Sequence, residues 1–268
     1  MNRVVLVSVA LGAIVASSSA GAADLPFKAA PQAVAPAAYD WSGVYVGGHI
    51  GGGWATNDFS DPGLGIVGTL LGVPVIQTTD SSGFIGGVQG GWNYQIGRFV
   101  VGTELDFSWA DINGSKTTGF NPIGVPGPAI FSRTLTANTD WTATSTVRLG
   151  YARDRWMFYT KAGAAFAHTN YTDNWTLNTV PSVALFAGTG SETRVGWTVG
   201  TGIEWAFWNN WSAKLEYDFM DFGSKTAAIN GAILPAIAGG IPASFGVVNS
   251  QVISEVKFGA NYRFMPLP

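Results

Sequence analysis

The 268-residue chain carries 14 Lys+Arg against 17 Asp+Glu and has no cysteine. A slightly acidic chain has no basic patch for nucleic acid, and without Cys there is neither a disulfide framework nor a thiolate metal site. Glycine is very frequent (36 residues), charge is sparse (12%) and aromatics are abundant (13%), which together favour one all-β unit.

The first elements read as processing segments. Arg3 supplies a positive charge, Val4–Ala16 an apolar run, and Ala20-Gly21-Ala22 a small-residue cleavage signal, so residues 1–22 are expected to be a signal peptide. Residues 23–39, rich in Ala and Pro (Pro26, Pro31, Pro36), have no periodicity and read as an extended periplasmic leader. No run of about 18 or more apolar residues occurs, which argues against helical membrane spans.

From residue 40 the chain alternates between short turns and long loops, joining eight segments of apolar-polar alternation. These are Val44–Trp54, Gly83–Tyr94, Phe99–Trp109, Asp140–Ala152, Trp156–Ala167, Thr193–Trp205, Trp211–Phe222 and Gln251–Phe264. The short connections are Gln95–Arg98, Arg153–Arg155 and Ala206–Asn210; the long ones are expected at 55–82, 110–139, 168–192 and 223–250. Tight turns on one side and long loops on the other are the asymmetry of a membrane β-barrel. In the third segment, Phe99, Val101, Thr103, Leu105, Phe107 and Trp109 share one face, and Glu104 and Asp106 lie on the other. A soluble sandwich also alternates, but its strands are shorter, and a tilted strand needs about 9–11 residues to cross a bilayer.

Aromatics collect at the segment ends. Trp41, Trp92, Tyr94, Tyr151, Trp156, Trp205, Trp208, Trp211, Tyr262 and Phe264 fall on the short-turn side, and Trp54, Trp109, Trp141 and Tyr171 on the long-loop side. Two girdles of amphipathic rings suit the two headgroup levels. With the apolar face turned to lipid, the lumen receives Glu104, Asp106, Arg148, Lys161, Arg194, Glu204, Lys214, Glu216, Asp218, Glu255, Lys257 and Arg263, six acids and six bases. Near neutrality is what a paired internal network requires. An eight-stranded barrel has room only for side chains, so the pattern does not by itself indicate a channel.

The entry motif Asp40-Trp41-Ser42-Gly43-Val44-Tyr45-Val46-Gly47-Gly48, after Ala-Ala-Asp-Leu-Pro at 22–26, resembles the mature start of alphaproteobacterial small outer-membrane proteins. The closing Lys257-Phe258-Gly259-Ala260-Asn261-Tyr262-Arg263-Phe264 is similar to their last strand. This family comprises porin-like surface antigens with an OmpA-like eight-stranded barrel. Its members end at or near the terminal aromatic, whereas Met265–Pro268 follow it here as an extension. The resemblance covers about residues 22–264. It implies a surface-exposed structural protein of the Gram-negative outer membrane, in contact with lipid and lipopolysaccharide, whose last strand is read by the outer-membrane assembly machinery. Porin activity and haem binding both occur among its members; enzymatic activity is not implied.

Two histidines remain. His49 alternates inward and reads as a lumen hydrogen-bonding group. His168, with Tyr171, is the candidate pair for haem or a metal, and Asp173 is its nearest acid in sequence. No nucleophile–base–orienter set can be assigned by spacing, and no cofactor is expected. The sequence therefore predicts an all-β, eight-stranded, antiparallel, up-and-down transmembrane barrel over 40–264. Its expected role is structural, with weak porin activity compatible; the alternative is a surface-loop module binding haem or a host ligand. It is silent on oligomeric state.

Overall fold

The computed structural model describes residues 39–61, 76–121, 124, 126–179, 181–233 and 241–264, without the side chains of 241, 243 and 245. The expected signal peptide, all but the last residue of the leader, and the extension 265–268 lie outside the described residues. The described residues form eight strands: β1 (Gly43–Ser60), β2 (Ile76–Ile96), β3 (Phe99–Phe120), β4 (Phe131–Arg153), β5 (Trp156–Leu177), β6 (Val183–Trp208), β7 (Trp211–Ile233) and β8 (Ile241–Arg263). Each pairs antiparallel with the next, and β1 closes on β8, from Tyr45 opposite Arg263 to Ser60 opposite Val248. Closure gives both edge strands a partner, which a barrel in lipid requires because no water is present to satisfy a free edge.

The short connections sit where the alternation predicts. Gly97 and Asp154 begin two of them with φ of 62° and 56°, left-handed geometry that glycine adopts freely and aspartate tolerates. The long connections are a correction. Residues 55–60, 76–82, 110–120, 131–139, 168–177, 183–192, 223–233 and 241–250, expected as loop, are strand. Strands of 18 to 26 residues are about twice what a bilayer needs.

The physical reason is a reversal of the binary pattern. Between Phe99 and Trp109 strand β3 rises about 33 Å, and at a tilt of about 40° this covers about 25 Å, the height of a membrane apolar band. Within that height the outward side chains are greasy, Leu105 and Phe258 being 64% and 59% exposed. Above Trp54, Trp109, Trp141 and Trp197 the outward side chains become polar, with Thr78 donating to Asp58 (2.6 Å), Asn170 to Asp140 (2.6 Å), and Thr117 bonded to Thr134 (2.8 Å). The interior at this height is an apolar cluster of Phe59, Leu135, Ala137, Tyr171, Phe186, Ala227, Ile229 and Val247. Apolar groups avoid water in both halves: in the membrane half they face lipid, and in the outer half, where water lies outside, they turn inward. Of the apolar stretch 229–248, residues 229–233 and 241–248 extend strands, and Ile229 and Val247 pack inward.

Bulges mark the crossover. On β4 the buried residues are Arg133, Leu135, Ala137 and Thr139, then Thr142, Thr144, Thr146 and Arg148. The phase changes because Asp140 is an extra residue between Thr139 and Trp141, which pair with the consecutive Thr169 and His168 of β5. A second irregularity lies between Asp221 and Ser224 of β7, where Gly223 takes a φ of 60°.

Candidate functional site

The chemistry-bearing side chains lie in the lumen, stacked in layers. At the short-turn end Gly43, with φ 118°, turns the chain so that Trp41 lies across the mouth. Trp41 is fully buried with Val100, Ala152, Met157, Tyr159 and Ala206, and Tyr39 packs against them. The Arg263 guanidinium stacks on Trp41 (4.8 Å) and donates to its carbonyl. Trp41 is therefore a lid residue and not part of the inner girdle. It precedes the first strand, so alternation does not constrain it.

Above the lid comes the charge layer, supplied by β3 to β8. Arg148 bridges Glu104 (3.2 Å) and Glu204 (3.0 Å) and lies over the Tyr159 ring (3.9 Å). Lys161 reaches Glu104 (3.3 Å), Glu216 (2.7 Å) and Asp218 (3.0 Å). Lys214 lies 3.4 Å from both Glu104 and Glu216. Lys257 holds Asp106 (2.8 Å), Glu255 (2.9 Å) and Asp218 (3.1 Å), and Arg263 closes the layer against Glu204 (3.6 Å). His49 bonds Gln89 (2.7 Å) and Ser108 (2.8 Å), 3.4 Å from Asp106. Each cation here faces at least one carboxylate, which is what makes so dense a set of buried charges tolerable. Glu104, Glu204, Asp218, Glu255 and Lys257 are 0% exposed, leaving no water-wide passage beside them.

Arg194 stands apart from this layer. An apolar layer of Ala55, Ile85, Ile112, Ala165, Ala167, Met220, Phe222 and Ile253 forms the next stratum. Arg194 instead donates to the carbonyl of Asn249 (3.0 Å) and pairs with Glu192 (3.5 Å). The outer apolar cluster and a second ion cluster follow, in which Arg133 bonds Asp173 (2.7 Å) and Asp61 and lies 5.1 Å from the Trp175 ring. Burial pushes the Asp61 carboxyl up, and the Arg133 charge only partly restores it. Burial also draws the Arg133 guanidinium down, but Asp173 and then Asp61 outweigh it, leaving it above its ordinary value. Asp61 and Arg133 were hidden in the expected loops. The signal that could have found Arg133 is the alternation Arg133-Leu135-Ala137-Thr139, read in the opposite phase to the membrane half.

The girdle residues lie outward. Trp156 stacks on Trp205 (5.6 Å), and Trp211 meets Tyr262 (5.2 Å), which meets Phe264 (5.2 Å). At the other level Trp54 and Trp109 are more than half exposed and Trp141 stacks on Phe107 (5.9 Å). Trp197, 50% exposed, joins this level. Tyr171 does not. It is 1% exposed and its hydroxyl accepts from Asn249 (3.0 Å). His168 faces out, stacked on Trp141 (6.0 Å) and bonded to Thr193 (3.0 Å). The two residues occupy opposite faces of β5, so they do not converge on one ligand, and Asp173 likewise faces away from His168. Among the described residues no group of three or more His, Cys, Asp or Glu could hold a metal ion.

Comparison with known proteins adds four findings. The family model for the outer membrane protein beta-barrel domain matches residues 9–264. The 31 kDa outer-membrane immunogenic protein of Brucella melitensis is 30% identical, over 98% of this chain and 100% of that protein. The 22 kDa outer membrane protein of Rhizobium leguminosarum is 26% identical, over 73% of this chain and 71% of that protein. Among solved structures, the outer membrane protein OprG of Pseudomonas aeruginosa is similar with a TM-score of 0.44 and 14% identity, covering 85% of this chain and 99% of that one.

Proposed function

The chain belongs to the outer membrane protein beta-barrel domain family, and from that premise we propose that it is a surface-exposed structural barrel of the cell envelope that holds no stable open pore. It resides in the outer membrane, in contact with lipid. The observation that carries the reading is the stratified lumen. A fully buried charge layer lies between the Trp41 lid and the apolar layer around Met220 and Ile253, so a solute crossing the barrel would have to displace all three. Separating the bridged ions would leave buried charges unpaired, at about 3–5 kcal/mol for each partner lost.

The outer half supports the surface role. It projects roughly 25 Å beyond the upper Trp level, as judged from β3, with its own core, so it presents a firm polar cylinder to the exterior. No catalytic role is proposed, since His168, Asp173 and Tyr171 do not share a site. Contact with lipopolysaccharide and delivery by the outer-membrane assembly machinery complete the proposal. The test is planar-bilayer recording on purified, refolded protein. A flat baseline is expected; reproducible unitary conductance steps would overturn the closed-barrel reading and restore a porin.

A further inference from the structure

The β6–β7 ladder is interrupted. It runs from Trp208–Trp211 to Trp197–Asp221 and resumes only at Thr189–Asn230. Across that interval β6 stays paired with β5, and β7 with β8 from Ser224 onward. The Gly223 bulge turns β7 away at this height, so the wall parts just above Trp197, at the outer headgroup level.

A cavity of about 770 Å³ occupies the interruption. Its polar lining includes the hydroxyls of Thr172, Thr189, Ser191 and Thr226 and the amides of Asn170 and Asn230. Glu192 and Lys225 pair across it at 2.6 Å. These two are the charged residues of the lining and they neutralise one another, so no net charge selects an ion. Backbone groups of 191–195 and 224–228 directed across the gap have no β6–β7 ladder partner and are free to bond a ligand seated there. The hydroxyls and amides of this lining are a mixture of donors and acceptors. Hydroxyl groups serve both kinds at once.

We infer that the β6–β7 gap is a binding cleft for an uncharged saccharide, entered from the side of the barrel at the level of the outer headgroups. It goes beyond the envelope role and needs only the barrel itself. The sugar could be free or borne on a membrane glycolipid.

Amide NMR on the full barrel in phosphatidylcholine nanodiscs tests this with two probes: free maltotriose, and digalactosyldiacylglycerol incorporated in the nanodisc. Saturable shifts at Thr189, Ser191 and Thr226 are expected with at least one. A response to maltotriose alone assigns a soluble sugar, and a response to the glycolipid alone an anchored one. Ser191→Leu with Thr226→Leu should weaken the response at least about tenfold. Asn230→Ala provides the same comparison should that pair fail to fold. Shifts absent with both probes, tighter binding of inorganic phosphate, or wild-type affinity in the folded variants would overturn the inference.

Discussion

Placing an arginine at two heights on one face of β3 measures where lipid ends. Leu105 and Thr117 both point outward, on either side of Trp109. Leu105 is 64% exposed, about midway between Phe99 and Trp109, and the medium it meets is hydrocarbon. Leu105→Arg should cost about 2–4 kcal/mol, a shift of roughly 30- to 1,000-fold in the folding equilibrium. Thr117 bonds Thr134 in water above the upper Trp level, and Thr117→Arg should change stability by no more than about 0.5 kcal/mol. Urea unfolding in lipid vesicles, followed by tryptophan fluorescence, reads both values. Equal losses for the two variants, or none for Leu105→Arg, would show that the greasy face does not meet lipid at the height assigned.

Other consequences concern the interior and the N-terminus. Arg148→Ala leaves Glu104 and Glu204 buried without their shared cation and should cost about 3–5 kcal/mol, seen as loss of the folded band in unboiled electrophoresis. Trp41→Ala removes the lid and should cost about 3–5 kcal/mol in the same urea assay; an unchanged midpoint would mean the mouth is closed by other groups. Asp61 carries a sign that can be checked. Burial raises its folded-state pKa above the unfolded value, so its contribution is fully present below the unfolded pKa and is lost as pH rises through the folded one. Asp61→Asn should abolish that decline; urea midpoints falling equally in both proteins across the carboxylate range would contradict it. N-terminal sequencing of protein taken from outer membranes should begin at Ala23, and a start at Met1 would refute the signal peptide.

Much of the membrane half was legible without coordinates. Alternation in segments such as Phe99–Trp109 and Trp211–Phe222 sets the strand count and assigns Glu104, Lys214 and Glu216 to the interior, because side-chain direction in a strand has a period of two. The same rule hid the outer half. There the apolar face turns inward, as Leu135 and Ala137 do, and the extra residue at Asp140 flips the phase, so a reader following one pattern sees a loop begin.

The sequence alone determined how many strands cross the membrane and which of their faces meets lipid, since both follow from local periodicity against a fixed bilayer height. Tertiary structure alone decided that Trp41 folds across the mouth, that Arg194 leaves the charge layer, that Arg133 finds Asp61 and Asp173, and that the wall parts between β6 and β7. These depend on register, bulges and closure, which bring together residues far apart in the chain and leave no trace in the spacing of any one strand.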